Sequence, residues 1–254
     1  MRRSVVGQQR NGDLTMSNTS RVLITGVDTQ LGAAVREYFT VRGATTTGTR
    51  AGSREASEAN GGKLTVWADP TNRHEVRRAV AQAAELMGGI DALVVAHGLP
   101  HVAALNDQTM DAFWDHVDAT LTGSFLYAQA AAEHMRDNRT GGRIVLTTSR
   151  WHIGGAELSA VAAAAGGIVA LTKSLTRDFG GFGVGVNAVA IGAVDSEWAV
   201  CDAAAGGSSL TPPTGQVGTV EQVAGVIGVL CQRQLGAAVG QIVNVDGGLS
   251  RNRV

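Results

Sequence analysis

The feature that most constrains this chain is an alternation. Seven short apolar or β-branched runs recur along it, most of them followed by a helical pattern. Arg21–Thr25 reads as a buried strand, and 44–49, 63–67, 91–96, 142–148, 184–190 and 241–245 continue the series. Helical patterns run from the TGVDTQLG turn to about Arg42, from Pro70 to about Met87 and from about Met110 to Arg136, then over 159–179 and 220–231. Neighbouring parallel strands need crossovers of this kind, because a tight hairpin cannot join them. The expected fold is therefore α/β: a doubly wound parallel sheet of about seven strands with helices on both faces.

A length of 254 residues suits one such domain, expected over 21–250, with no linker or internal repeat. Residues 1–20 are polar and carry no apolar run long enough for a secretory signal. They read as a disordered tail, or as an over-long start with Met16 the true beginning. A net charge of -1 with scattered lysine and arginine argues against a nucleic-acid surface. Cys201 and Cys231 lie outside any CxxC or histidine-rich spacing, so neither a disulfide framework nor a metal site is expected, and a cytoplasmic setting follows. No uninterrupted apolar run approaches the roughly 20 residues of a membrane span.

The motifs narrow the class. Thr25-Gly26 to Gly32 forms a Gly-rich turn after the first strand, and Asp69 follows the third. Ile90-Asp91-Ala92-Leu93-Val94 leads into Val95-Ala96-His97-Gly98, and Gly142-Arg143-Ile144-Val145 leads to Ser149. Leu171-Thr172-Lys173-Ser174-Leu175, Val186-Asn187-Ala188-Val189 with Gly192, and Val243-Asn244-Val245-Asp246-Gly247-Gly248 complete the set. Seven motifs in this order and spacing resemble the short-chain dehydrogenase/reductase family, a Rossmann-type fold, from about Arg21 to Ser250.

The resemblance implies a nicotinamide cofactor and a catalytic tetrad of serine, tyrosine, lysine and asparagine. A tyrosine, ordinarily titrating near 10, becomes an acid-base group only beside a cation that stabilises its anion. Ser149 matches the family's serine. Val161 and Ala165 fall where the family has YxxxK, and Thr120 falls where it has asparagine. The chain holds two tyrosines, Tyr38 and Tyr127, and two lysines, Lys63 and Lys173, none spaced as YxxxK.

The cofactor positions implied by the family are Gly26, Gln30, Gly32, Arg50, Asp69, His97, Gly98 and Gly192. Gln30 replaces a glycine that lets the backbone approach the pyrophosphate, so crowding is expected there. The helix N-terminus near Gln30 still offers N–H groups to an anion. His97 replaces an alanine near the adenosine ribose, and Ile191 replaces a proline near the nicotinamide. Arg50, with Ser53 and Arg54, suits a 2′-phosphate, which favours NADP over NAD. Binding is expected to be weak or absent. His97 and His152 read either as hydrogen-bonded filler or as new acid-base groups. Trp151 reads as pocket lining or as a cap on the core.

Three functions remain open. The chain is a catalytically silent subunit or binding module, pairing with an active paralogue. Alternatively, it is an NADP-dependent oxidoreductase that protonates through another group such as His152. Or it is a lyase or cyclase reusing the pocket. Losing acid-base help costs about 10²–10⁴ in rate, which cripples a reaction without abolishing it. A homodimer or homotetramer is expected through the 109–136 and 159–179 helices, and a hetero-oligomer with an active family member is a further option.

Overall fold

Successive side chains on a strand point to opposite sides, and in this chain that alternation divides the core in two. The computed structural model describes residues 21–51, 64–137, 139, 141–206 and 211–250. The strands are β1 (Arg21–Thr25), β2 (Thr45–Arg50), β3 (Thr65–Trp67), β4 (Ala92–Val95), β5 (Gly142–Ser149), β6 (Val184–Ile191), the short β7 (Val194–Asp195) and β8 (Gly218–Thr219), and β9 (Ile242–Val245). The helices are α1 (Gln30–Thr40), α2 (Arg73–Met87), α3 (Met110–Val117), α4 (Gly123–Asp137), α5 (Ser159–Gly180), α6 (Ala199–Gly206) and α7 (Val220–Leu230).

Seven strands form one sheet in the order β3-β2-β1-β4-β5-β6-β9, and every pairing is parallel. Leu23, Leu93, Ile144 and Leu146 pack under α2, α4 and α5. Val22, Ile24, Val94 and Val145 face the other way, against α1 and α7. The doubly wound fold is thus as expected. Strand order reverses between β1 and β4, which opens a crevice at their carboxyl ends, where such sheets bind ligands.

Several boundaries differ from the sequence reading. Lys63 and residues 1–20 lie outside the described residues. Pro70 does not open α2. Asp69 holds the Thr71 N–H and hydroxyl in a turn, and the helix starts only after Asn72, whose side chain caps His74 and Glu75. The long central helix is interrupted by a π-helical turn, Asp118–Thr122. The β7–β8 ribbon and α6 were not foreseen. By length and composition α5, at 22 residues, is apolar enough to cross a membrane, but its buried face packs on the sheet, as core helices do.

Candidate functional site

The Gly-rich turn is held by contacts that only glycine permits. Gly26 sits at φ +65°, and a Cβ there would lie 2.5 Å from the His97 Cα. A Cβ on Gly32 would strike the Gly26 carbonyl. Thr29 caps α1, accepting from the Gly32 N–H and donating to the Gly26 carbonyl, both at 2.9 Å. The backbone of a nucleotide-binding turn is therefore intact.

What fills the space above it is different. The Gln30 side chain is exposed, but its backbone N–H donates to the Glu197 carboxylate at 2.5 Å. The expectation of a free N–H at Gln30 is corrected: a carboxylate from the segment after β7 takes it at the helix end, as the positive N-terminus favours. Near the adenosine position, Gly26, Asp28, Arg50, His97 and Tyr127 line a cavity of about 90 Å³. Ligand pockets are usually about 300–1,000 Å³, so this cavity is small for the adenosine half alone.

His97 is a hydrogen-bonded filler. Its Nε2 donates to the Ala119 carbonyl at 2.8 Å. A neutral ring with its proton on Nε2 leaves Nδ1 to accept from the Thr25 hydroxyl, also at 2.8 Å. Burial pushes its pKa down to about 4, against weaker opposing effects of the Ala119 bond and Asp28. Arg50 stands 3.8 Å from Asp28 and lies over the Trp67 ring. Ser53 and Arg54, the other residues suggested for a 2′-phosphate, lie outside the described residues. Asp69 is engaged in its own turn.

At the end of β5, Ser149 is 1% exposed. Its Oγ accepts from the Trp151 N–H at 3.2 Å, and its carbonyl accepts from His152 Nδ1 at 3.0 Å. Across the cleft, Thr120 lies in the π-helical turn with its Oγ1 buried and without a partner. Such turns frequently mark functional positions. The Trp198 ring and the Thr120 methyl both crowd the space beside Gly98.

The two positions expected to match YxxxK, Val161 and Ala165, hold apolar side chains. Val161 is 1% exposed and packs in an apolar cluster with Leu158 and Cys201, against Val102, Trp151 and Trp198. Ala165 is 3% exposed, and its carbonyl accepts from Thr148 Oγ1. Neither tyrosine substitutes. Tyr38 packs against Gly228 and under Arg42. Tyr127 is buried beneath His97, and burial pushes its phenol up to about 12, with a Thr49 bond opposing. Lys173 is exposed on α5, as expected. Burial likewise pushes both Cys201 and Cys231 up to about 12, so neither thiol is a ready nucleophile.

Three charged residues, Arg150, Asp202 and Glu197, were missed by the sequence reading. Arg150, directly after Ser149, is buried and its Nε donates to Asp202 at 2.8 Å. Asp202 also accepts from Trp151 Nε1 and from the Ala193 N–H. The Arg150 stem lies where a Cβ on Gly192 would be, so this glycine makes room for arginine. An arginine beside the serine expected to match the family's was the available signal. Asp202 and Glu197 sit in a stretch with no motif, and nothing local marked them.

The chain matches the family profile described as enoyl-(acyl carrier protein) reductase over residues 26–250. It is 30% identical over 232 residues to the 3-oxoacyl-[acyl-carrier-protein] reductase MabA of Mycobacterium avium, covering 90% of this chain and 89% of that one. It is 33% identical to the (2S)-[(R)-hydroxy(phenyl)methyl]succinyl-CoA dehydrogenase subunit BbsD of Thauera aromatica, covering 72% of this chain and 74% of that one. The fold superposes on a short-chain type dehydrogenase/reductase from Mycobacterium marinum with a TM-score of 0.81, at 27% identity and over 92% and 97% of the two chains. The fold, the glycine turn and these kinships agree: the chain belongs to the short-chain dehydrogenase/reductase family of oxidoreductases.

Proposed function

We propose that this chain is a family member that does not turn over carbonyl substrates by the tyrosine route, and that it serves as a subunit or binding module within an assembly. The observation carrying this reading is Val161, buried in an apolar cluster at the position of the family's proton donor. An apolar side chain neither gives nor takes a proton, and no tyrosine or lysine among the described residues lies beside it. Asn187 and Asp246 support the same view. Asn187 bonds the Ala238 carbonyl and the Gln241 N–H, and Asp246 bonds the Gly248 and Ser250 N–H groups. The motif residues that survive are the ones that hold loops. The relative from Thauera aromatica is described as a dehydrogenase subunit, which suits a role beside other chains in the cytoplasm, either as a homo-oligomer or with an active family member.

Kinship favours a second reading, and by that criterion it is the better supported: an NADP-dependent oxidoreductase using another proton donor. The relatives named above are reductases and dehydrogenases. His152 is the candidate donor, because it is bonded to the Ser149 carbonyl and partly open to solvent. Steady-state reduction of 3-oxoacyl thioesters and simple ketones with NADPH separates the two. Turnover of about 1 s⁻¹ or more, within the ordinary enzyme range, establishes the second reading. Its loss in His152→Ala then identifies the donor.

A further inference from the structure

The segment between β7 and the end of α6 crosses the nucleotide groove and is tied down at three places. Glu197 takes the Gln30 N–H at the start of α1. Trp198 reaches Gly98, beside Thr120. Asp202 is bonded by Arg150, Trp151 and the Ala193 N–H beneath the end of β5. These anchors run from the phosphate-binding end of the groove to the serine end. The first is a carboxylate on a helix N-terminus, the same charge and the same kind of acceptor as a phosphate oxygen.

We propose that residues 196–202 are a built-in occupant of the groove, with the Glu197 carboxylate standing in for a nucleotide phosphate, so that a dinucleotide binds only by displacing it. The two anions cannot share one N–H, and Trp198 packs between Gly98 and the Val161 cluster. The Glu197 contact is more open to water than the Asp202 anchor, because Gln30 is exposed while Arg150 and Asp202 are not. Release therefore begins at Glu197, with the Asp202 anchor as the hinge end. This inference concerns access to the groove. It stands independently of whether a proton donor is present.

The test is NADPH titration of the full chain by calorimetry, comparing wild type with Glu197→Ala and Glu197→Gln. A charge-assisted hydrogen bond is worth about a factor of ten in an equilibrium. Glu197→Ala is expected to tighten NADPH binding about tenfold, with Glu197→Gln between it and wild type. Thermal unfolding of each variant checks that it is folded. Hydrogen exchange of 196–206 in wild type is expected to speed up when NADPH saturates the protein. Unchanged affinity in folded Glu197→Ala overturns the proposal, as does exchange that stays the same or slows on binding. Failure of both wild type and Glu197→Ala to bind at millimolar NADPH overturns it too, since another barrier then closes the groove. Turnover is read separately on Glu197→Ala. If NADPH binds tightly and ketones are still not reduced, both this inference and the silent reading hold. If ketones are reduced, the silent reading fails and the occupant remains.

Discussion

Arg150 and Asp202 form an ion pair, Nε to Oδ1 at 2.8 Å, that joins the end of β5 to α6, with Arg150 buried and Asp202 half-buried. The same carboxylate satisfies the Trp151 indole and the Ala193 N–H, so one aspartate ties its own helix to two other pieces of chain. Removing it leaves a buried guanidinium uncompensated, which is much costlier than replacing both partners. Asp202→Ala is expected to lose about 3–5 kcal/mol of stability. The double variant Arg150→Met with Asp202→Leu should recover much of this. Urea unfolding checks both. A loss below about 1 kcal/mol in the single variant would mean that the pair is no more than a surface contact.

Rebuilding the missing dyad should not create an enzyme. Val161→Tyr with Ala165→Lys places two large polar side chains in fully packed positions. Overpacking alone costs about 1–3 kcal/mol, and the tyrosine would face the Leu158–Cys201 cluster instead of open cleft. The expected result is a lower melting temperature and no ketone reduction. Measured turnover near 1 s⁻¹ in this variant would show that the cleft opens more readily than the packing implies.

Assembly is expected through α4 and α5, and two neighbouring alanines of α5, Ala163 and Ala164, are not equivalent there. Ala163 is exposed on α5, near the other small residues Gly167 and Ala170, whereas Ala164 is fully buried. Phe125 and Trp114 are exposed on the adjoining helices. Ala163→Glu should dissociate a dimer or tetramer while leaving the fold intact. Ala164→Glu should unfold the chain, because it buries an unpaired charge. Light scattering and circular dichroism distinguish these outcomes. A wild-type monomer at micromolar concentration would count against the subunit role.

Stability should fall on mild acidification. Burial holds His97 down to about 4, and it holds His116 down to about 4 with help from neighbouring His101. In the unfolded chain both titrate near 6.5. Between these values the unfolded state binds protons that the folded state refuses, so stability rises with pH across the window and drops on acidification from 6.5 toward 4. Calorimetry at pH 7 and pH 5 should show a lower melting temperature at pH 5. His97→Gln should shrink that difference, and a difference unaffected by replacing either histidine would assign the acid sensitivity elsewhere.

Local sequence was sufficient for the strand–helix alternation, because a buried parallel strand announces itself by a short apolar run and its crossover by a helical period. The glycine turn was equally legible: Gly26 and Gly32 are required by backbone contacts within a few residues and across to β4. That no tyrosine stands four residues before a lysine could be read by counting the two of each. The occupied state of the cleft could not be read that way. Glu197 lies 167 residues from Gln30, and Asp202 lies 52 residues from Arg150. No periodicity or spacing reports a contact over such separations. Whether the Gln30 N–H stays free or is lent to a distant carboxylate was decided by how the segment after β7 folds back over the sheet. That path is set by packing of Trp198 and Cys201 against residues from several elements, and packing exists only once those elements are assembled.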